Sequence, residues 1–233
     1  MTLDPKWKQT VENAISNKEW DKYDDIIKRE VNEYNRRMAR TKQFLTLDWS
    51  IFKAMLWVES GGPSNLAWTS RPMQIGNPRD KGYAVMRHGK EAANLIMSDK
   101  LKQDIKGNIN QPELNIRVGI AYALTRLVKT EMQSVNDPKD TTVHEYTVMA
   151  GDSLDKIAHK VGSTLDSMKE LNPTANVLHP NQKLQYRKAT VQRVITGWSA
   201  LNTTNLAAGY NVGDPSYKEK LDYAISLFPK LKR

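Results

Sequence analysis

Thr46-Leu47-Asp48-Trp49-Ser50-Ile51-Phe52-Lys53-Ala54-Met55-Leu56-Trp57-Val58-Glu59-Ser60-Gly61-Gly62-Pro63 is the stretch whose reading decides the fold class. Asp48 is an N-cap candidate, and Ile51, Phe52, Met55, Leu56 and Val58 follow at helical spacing, a stripe wide enough for a mostly buried helix. Glycine past the last turn with proline beyond it stops a helix, which places the end at Gly61-Gly62-Pro63. Glu59 then stands at the end of an apolar helix. Desolvation disfavours a charged carboxylate and raises its pKa toward the working pH, as a general acid for a glycosidic oxygen requires. By position alone, a solvated helix-terminal glutamate is the simpler reading.

Working outward, Leu3-Asp4-Pro5 places a cap before a proline at the first helical position, and residues 5–40 carry apolar residues at roughly helical spacing. They predict one or two amphipathic helices. Residues 63–82 read as loop, punctuated by Pro63, Pro72, Gly76, Pro78 and Gly82. Helical pattern returns at about 90–106 and 113–133. Asn136-Asp137-Pro138-Lys139-Asp140 reads as a linker, after which the period changes. His144 to Val148 is rich in strand formers, two short helices follow through Leu154–Val161 and Leu165–Leu171, and Lys183 to Tyr186 closes as a strand. From about 191 helical style resumes, and Asp214-Pro215 repeats the cap-plus-proline signal before a final helix.

The chain has 233 residues, enough for one sizeable core and a small module. Its 35 Lys and Arg against 26 Asp and Glu give +9, which suits a partner rich in negative charge: nucleic acid, anionic membrane or anionic wall polymer. Residues 141–190 hold six basic and five acidic side chains, so the remainder carries about +8. No cysteine is present, which removes disulfides, thiolate metal sites and a cysteine nucleophile. His88, His144, His159 and His179 lack metal-ligand spacing, and neither HExxH nor a phosphate-cradling glycine loop occurs, so no metal or cofactor is expected. Trp7, Trp20 and Trp57 fall at helical spacing and are expected in the core rather than on sugar rings.

Four separated segments carry more information together. Trp57-Val58-Glu59-Ser60-Gly61-Gly62, Pro72-Met73-Gln74-Ile75, Asn115-Ile116-Arg117-Val118-Gly119-Ile120 and Ala207-Ala208-Gly209-Tyr210-Asn211-Val212-Gly213 occur in that order. Together they resemble the soluble lytic transglycosylase family, relatives of goose-type lysozyme. The resemblance implies that Glu59 protonates the bond between MurNAc and GlcNAc and that Ser60 helps to hold it. It further implies that Met73 and Gln74 line the sugar cleft, that Tyr210 hydrogen-bonds near the glutamate, and that Asn211 and Gly213 shape the same wall. The sequence departs from the family at Arg71-Pro72, where Gly-Leu is usual, and at Gly209. Arg71 is a candidate for meeting an acidic substrate group.

A second resemblance covers residues 144–186. Tyr146 to Ala158, Leu171-Asn172-Pro173 and Leu178 to Leu184 resemble LysM. That family binds N-acetylglucosamine chains between two loops, which here implies Gly151, Asp152, Ser153 and Leu154 on one side and Asn176, Val177 and Leu178 on the other. Asn181 stands where the family usually has glycine, and asparagine tolerates positive φ.

The expected fold is thus mainly α, a lysozyme-like α+β catalytic domain over residues 1–140 and 191–233 with a small βααβ LysM domain inserted at 141–190. The expected activity is lytic transglycosylation by one glutamate used twice, giving 1,6-anhydro-MurNAc. A hydrolytic muramidase with Asp80 as second carboxylate is the alternative, and a non-catalytic wall-binding protein is the reading from another class. The expected partners are peptidoglycan glycan strands, a secretion apparatus and an immunity or inhibitor protein, with no nucleic acid and no membrane insertion. The first thirty residues are too charged for a secretory signal, and no run of about 18 apolar residues exists. Delivery to peptidoglycan in the periplasm is therefore expected through a type VI secretion system, for an antibacterial effector, or through a holin, for a phage endolysin.

Overall fold

The computed structural model describes residues 2–231. The chain forms two compact units, one reaching from the N-terminus to Thr130 and resuming at Ile195, the other spanning Glu131–Val194. The first unit begins with α1 (Pro5–Glu12), 3-10 turns at Asn13–Ile15 and Lys18–Asp21, and α2 (Asp24–Met38). Asp4 caps α1 by accepting the Lys6 N–H at 2.8 Å, with Pro5 at the first helical position. Next come α3 (Trp49–Ser60), α4 (Leu66–Ser70), α5 (Lys81–Arg87), α6 (Ala93–Ile96), α7 (Asp99–Asp104) and α8 (Pro112–Leu127).

Two of these helices are central because they are apolar almost all round. Every residue of α3 from Ile51 to Trp57 is buried, and α8 buries Leu114, Ile116, Val118, Ile120, Ala123 and Leu124 among others. The cap of α3 is Asp48, which accepts the Ser50 N–H at 2.9 Å, and its end is Gly61 in the left-handed conformation at φ 70°. One member of the buried run is Lys53, 0% exposed, whose ammonium bonds Asp21 and, at 2.9 Å, Asp24.

The chain then departs from expectation. Helix α8 stops at Leu127 instead of running to 133, and β1 (Val128–Asn136) follows directly. The helix expected from about 191 is also a strand: after β2 (His144–Thr147), α9 (Leu154–Val161), α10 (Leu165–Leu171) and β3 (Lys183–Tyr186) comes β4 (Ala189–Trp198), which pairs with β1. The reason is composition. Val128, Thr130 and Val135 of β1 and Thr190, Val191, Val194, Ile195 and Thr196 of β4 are β-branched, and such side chains favour the pleated surface. The ribbon is closed at one end by Ser199 N–H to Leu127 C=O at 2.8 Å and at the other by Asp137 N–H to Lys188 C=O at 2.8 Å, so the strands run antiparallel. The unit boundaries therefore fall within the ribbon, at 130/131 and 194/195, rather than at 141 and 190.

The second unit is small. β2 pairs antiparallel with β3 in the register His144↔Tyr186 to Thr147↔Lys183, and α9 and α10 cover a core of Val148, Ile157, Ala158, Met168, Ala175 and Leu184. The first unit is completed by α11 (Thr203–Gly209), α12 (Tyr217–Leu227) and a 3-10 turn at Phe228–Lys230. Asp214 is not the cap of α12. It braces the preceding turn by accepting the Ser216 N–H at 2.9 Å and is paired with Lys220 at 2.6 Å.

Candidate active site

The end of α3 delivers Glu59 into a cavity of about 220 Å³ lined also by Met73, Gln74, Ile75, Asn77, Asp80, Tyr122, Tyr210 and Asn211. Segments far apart in sequence thus meet: the end of α3, the 73–80 loop, α8 and the turn after α11. Burial drives the Glu59 carboxyl up from its ordinary value of 4.5 to about 7, against smaller opposing effects from Tyr217 and Asn211. Asn211 reaches Oε1 with its Nδ2 at 3.4 Å, a long hydrogen bond. The Tyr217 hydroxyl is buried and lies close enough to favour the ionised carboxylate, yet it has no well-formed hydrogen bond.

The wall opposite Glu59 is built by α8. Asn115, 0% exposed, accepts the Met73 N–H at 2.8 Å and donates to the Ile75 carbonyl at 2.8 Å, giving an irregular buried segment the partners that a strand neighbour would otherwise supply. One turn further, a Cβ on Gly119 would lie 2.5 Å from Met73 Cβ, so only glycine lets the wall approach the helix. The Tyr210 hydroxyl donates to the Met73 carbonyl at 2.8 Å, so its bond secures the wall and not Glu59, although its ring lines the same cavity. Gln74 sits at φ 53°, its side-chain amide donating to Arg71 C=O at 3.2 Å and accepting from Asn77 at 3.1 Å. Its backbone is tied as well, Gln74 N–H donating to Arg71 C=O at 2.9 Å and Gln74 C=O accepting from Asn77 Nδ2 at 2.9 Å, and such a held left-handed conformation in a non-glycine residue is a form of strain that concentrates at functional sites.

Several expected site residues have other placements. Ser60 is buried and points away: its hydroxyl donates to Leu56 C=O at 2.6 Å and accepts the Gly62 N–H at 3.1 Å, bracing the turn after Glu59. Gly213 is exposed and outside the cavity, and a Cβ there would meet only Asn211 Oδ1 at 3.9 Å, so nothing about the wall depends on glycine. Arg71 also lies outside the lining. Asp80 does line the cavity, but as the N-cap of α5: one oxygen accepts the Tyr83 N–H at 3.1 Å and the other the Gly76 N–H at 2.6 Å. Sequence reasoning missed Asn77, Tyr122 and Tyr217. Tyr122 had a usable signal, three residues after Gly119 on the same helix, and its ring packs 5.4 Å from that of Tyr210.

In the second unit the two expected glycan-facing loops are tied together. Val148 N–H donates to Gln182 C=O at 2.8 Å and Asn181 N–H returns to Val148 C=O at 2.9 Å, setting the 149–153 turn beside the segment that precedes β3. Asp152 accepts the Met149 N–H at 2.8 Å and the Tyr146 hydroxyl at 2.9 Å, and these bonds hold its carboxyl below the usual range. Ser153 caps α9. Leu154 and Leu178 pack on the small core, whereas Val177 is 69% exposed and Asn176 and Gly151 are also exposed. Asn181 adopts φ 71°. Residues 146–186 match the LysM domain family.

This part of the chain is a LysM domain. Peptidoglycan glycan binding follows for the second unit. No curated protein and no solved structure matches the chain. Among the described residues no helix is long and apolar enough to cross a membrane, and no cluster of His, Asp and Glu could hold a metal ion.

Proposed function

We propose that the helical unit is a lysozyme-like lytic transglycosylase that cleaves the MurNAc-β-1,4-GlcNAc bond of strands held by the LysM domain. The observation that carries this reading is Glu59: a carboxyl raised to about 7 by burial, open to a cavity with Gln74, Tyr122, Tyr210 and Asn211, in a chain that bears a peptidoglycan-binding module. Protonated Glu59 gives its proton to the leaving glycosidic oxygen. The resulting carboxylate, favoured by Asn211 and Tyr217, then takes the proton of the MurNAc C6 hydroxyl as that oxygen closes on C1. No water is consumed. The engagement of both Asp80 oxygens by backbone amides supports a one-carboxylate route over a muramidase that needs Asp80 to activate water. Delivery as an antibacterial effector of a contractile secretion system, with an immunity protein in the producer, fits a wall-cleaving enzyme of this kind.

Mass spectrometry of digested sacculi tests the reaction: anhydro ends, lighter by one water, are expected, and reducing MurNAc ends would assign the hydrolase. Binding without cleavage would make the protein an adaptor. Because the acid must be protonated, kcat/KM should fall as pH rises through about 7. Asn211→Ala removes a contact that favours the ionised form, so the fall should move to higher pH.

The second unit holds eight basic and eight acidic side chains and is neutral, so the whole +9 lies on the helical unit. Replacing residues 138–187 by an Asn-Gly turn between Asp137 and Lys188, already hydrogen-bonded neighbours, should leave the helical unit folded. Sacculus affinity measured by co-sedimentation should fall about tenfold or more. The binding that remains should vanish with added salt, since charge attraction is screened while the LysM contribution is not.

A further inference from the structure

The cleft depends on the distance between Glu59, at the end of α3, and the Met73–Ile75 wall, and these are joined by a short connection through Gly61, Gly62 and α4. Both ends of that connection are gripped by one N-terminal segment. At the first end, Trp20 accepts the Trp57 indole N–H at 3.1 Å on its backbone carbonyl and sets its ring edge-on to Trp57 at 5.1 Å. Its ring fills the space over the turn after Glu59: a Cβ on Gly62, at φ 87°, would lie 2.2 Å from the Trp20 Cη2 and Cζ2 atoms. At the second end, the same ring lies 5.9 Å from Trp68 of α4, and the Tyr23 hydroxyl donates to the Trp68 carbonyl at 2.7 Å. From α4 the path to the wall is a run of backbone bonds, Arg71 N–H to Ala67 C=O at 2.8 Å and Gln74 N–H to Arg71 C=O at 2.9 Å. The segment is anchored to α3 by Asp21 and Asp24 on buried Lys53.

We infer that residues 18–24 belong to the catalytic machinery and that Trp20 is a positioning residue, setting Glu59 against the Gln74 wall through Gly62 and Trp68. Trp20 is buried and does not line the cavity, so it acts through these neighbours and not on the sugar. A displaced general acid loses rate before it loses binding, because the remaining cavity still holds the strand. The inference rests on the reading of Glu59 given above.

The test is steady-state cleavage of solubilised glycan strands by Trp20→Ala, Trp20→Phe, Gly62→Ala and the double variant Gly62→Ala/Trp20→Phe, with circular dichroism to establish folding. Trp20→Ala should lower kcat by about tenfold or more with KM changed less than about threefold, and Trp20→Phe should recover most of the loss. Phenylalanine lacks the outer indole atoms that meet Gly62. Gly62→Ala should therefore be more active in the Trp20→Phe background than in the wild type, a coupling that independent packing losses would not produce. If Trp20→Ala fails to fold, this cycle alone decides. A folded Trp20→Ala with wild-type kcat, or losses in the cycle that simply multiply, would overturn the inference. Activity retained by Glu59→Gln would instead overturn the reading of Glu59, so the two failures are separable.

Discussion

Glu59→Gln is expected to lower glycan cleavage by about a thousandfold or more while leaving binding to sacculi unchanged, because an amide keeps the shape of the side chain but has no proton to transfer at this step. Directed to the periplasm, the wild-type protein should lyse its host and the Gln variant should not. A variant that kept a tenth of the activity would remove Glu59 from the mechanism. The same substitution has a signature in stability. Below its ordinary value of 4.5 the carboxyl is protonated in both folded and unfolded chains, but above about 7 it is ionised in both, and the folded state then carries a desolvated charge. Native protein binds this proton more tightly, so stability is lost as pH rises through that window, by something on the order of 3 kcal/mol. Glu59→Gln should abolish this loss: melting temperatures of variant and wild type should coincide near pH 4, and the variant should be the more stable near pH 8.

The largest loss of stability is expected from Lys53→Met. Lys53 is wholly buried in α3 and its ammonium is shared by Asp21 and Asp24, of which Asp24 is only 9% exposed. Burial already pushes the Asp24 carboxyl above its usual range despite the lysine. Removing the cation leaves that buried group with only the more distant Lys28 ammonium, at 4.0 Å, a change worth about 3–5 kcal/mol, which corresponds to a fall in Tm of roughly 10 °C for a chain of this size. Calorimetry of Lys53→Met and of Lys53→Met/Asp24→Asn checks the mechanism. The double variant should recover most of the loss, because the cost lies in the orphaned charge rather than in a missing attraction. Equal melting temperatures for wild type and Lys53→Met would mean that water reaches Asp24.

Much of this arrangement was legible in the residues because it is written in local chemistry. Asp48 and Gly61 bound α3 as cap and stop residues should, Trp20 and Trp57 are core, and Asn181 takes the positive φ that its place before β3 demands. The ribbon was not legible. Val128 and Val194 sit in stretches where apolar spacing suits a helix or a strand equally, and only pairing between strands more than fifty residues apart decides the matter. The roles of Asn115, Tyr122 and Tyr217 were hidden for a related reason. Each is one polar or aromatic residue on a buried helix face, and its function is defined by what another segment brings to it. Asp80 was visible as a carboxylate near the site, but not as a cap whose oxygens are both taken.

The interruption of the helical unit by the LysM domain sets an order of events during synthesis. Tyr210 and Asn211, which complete the Glu59 cavity, and Tyr217 of α12 are translated only after residues 146–186. Domains form as units once they clear the ribosome, so the LysM core can close while the cavity still lacks one wall. A nascent or prematurely ended chain would thus carry the glycan-binding domain before the Glu59 cavity is complete.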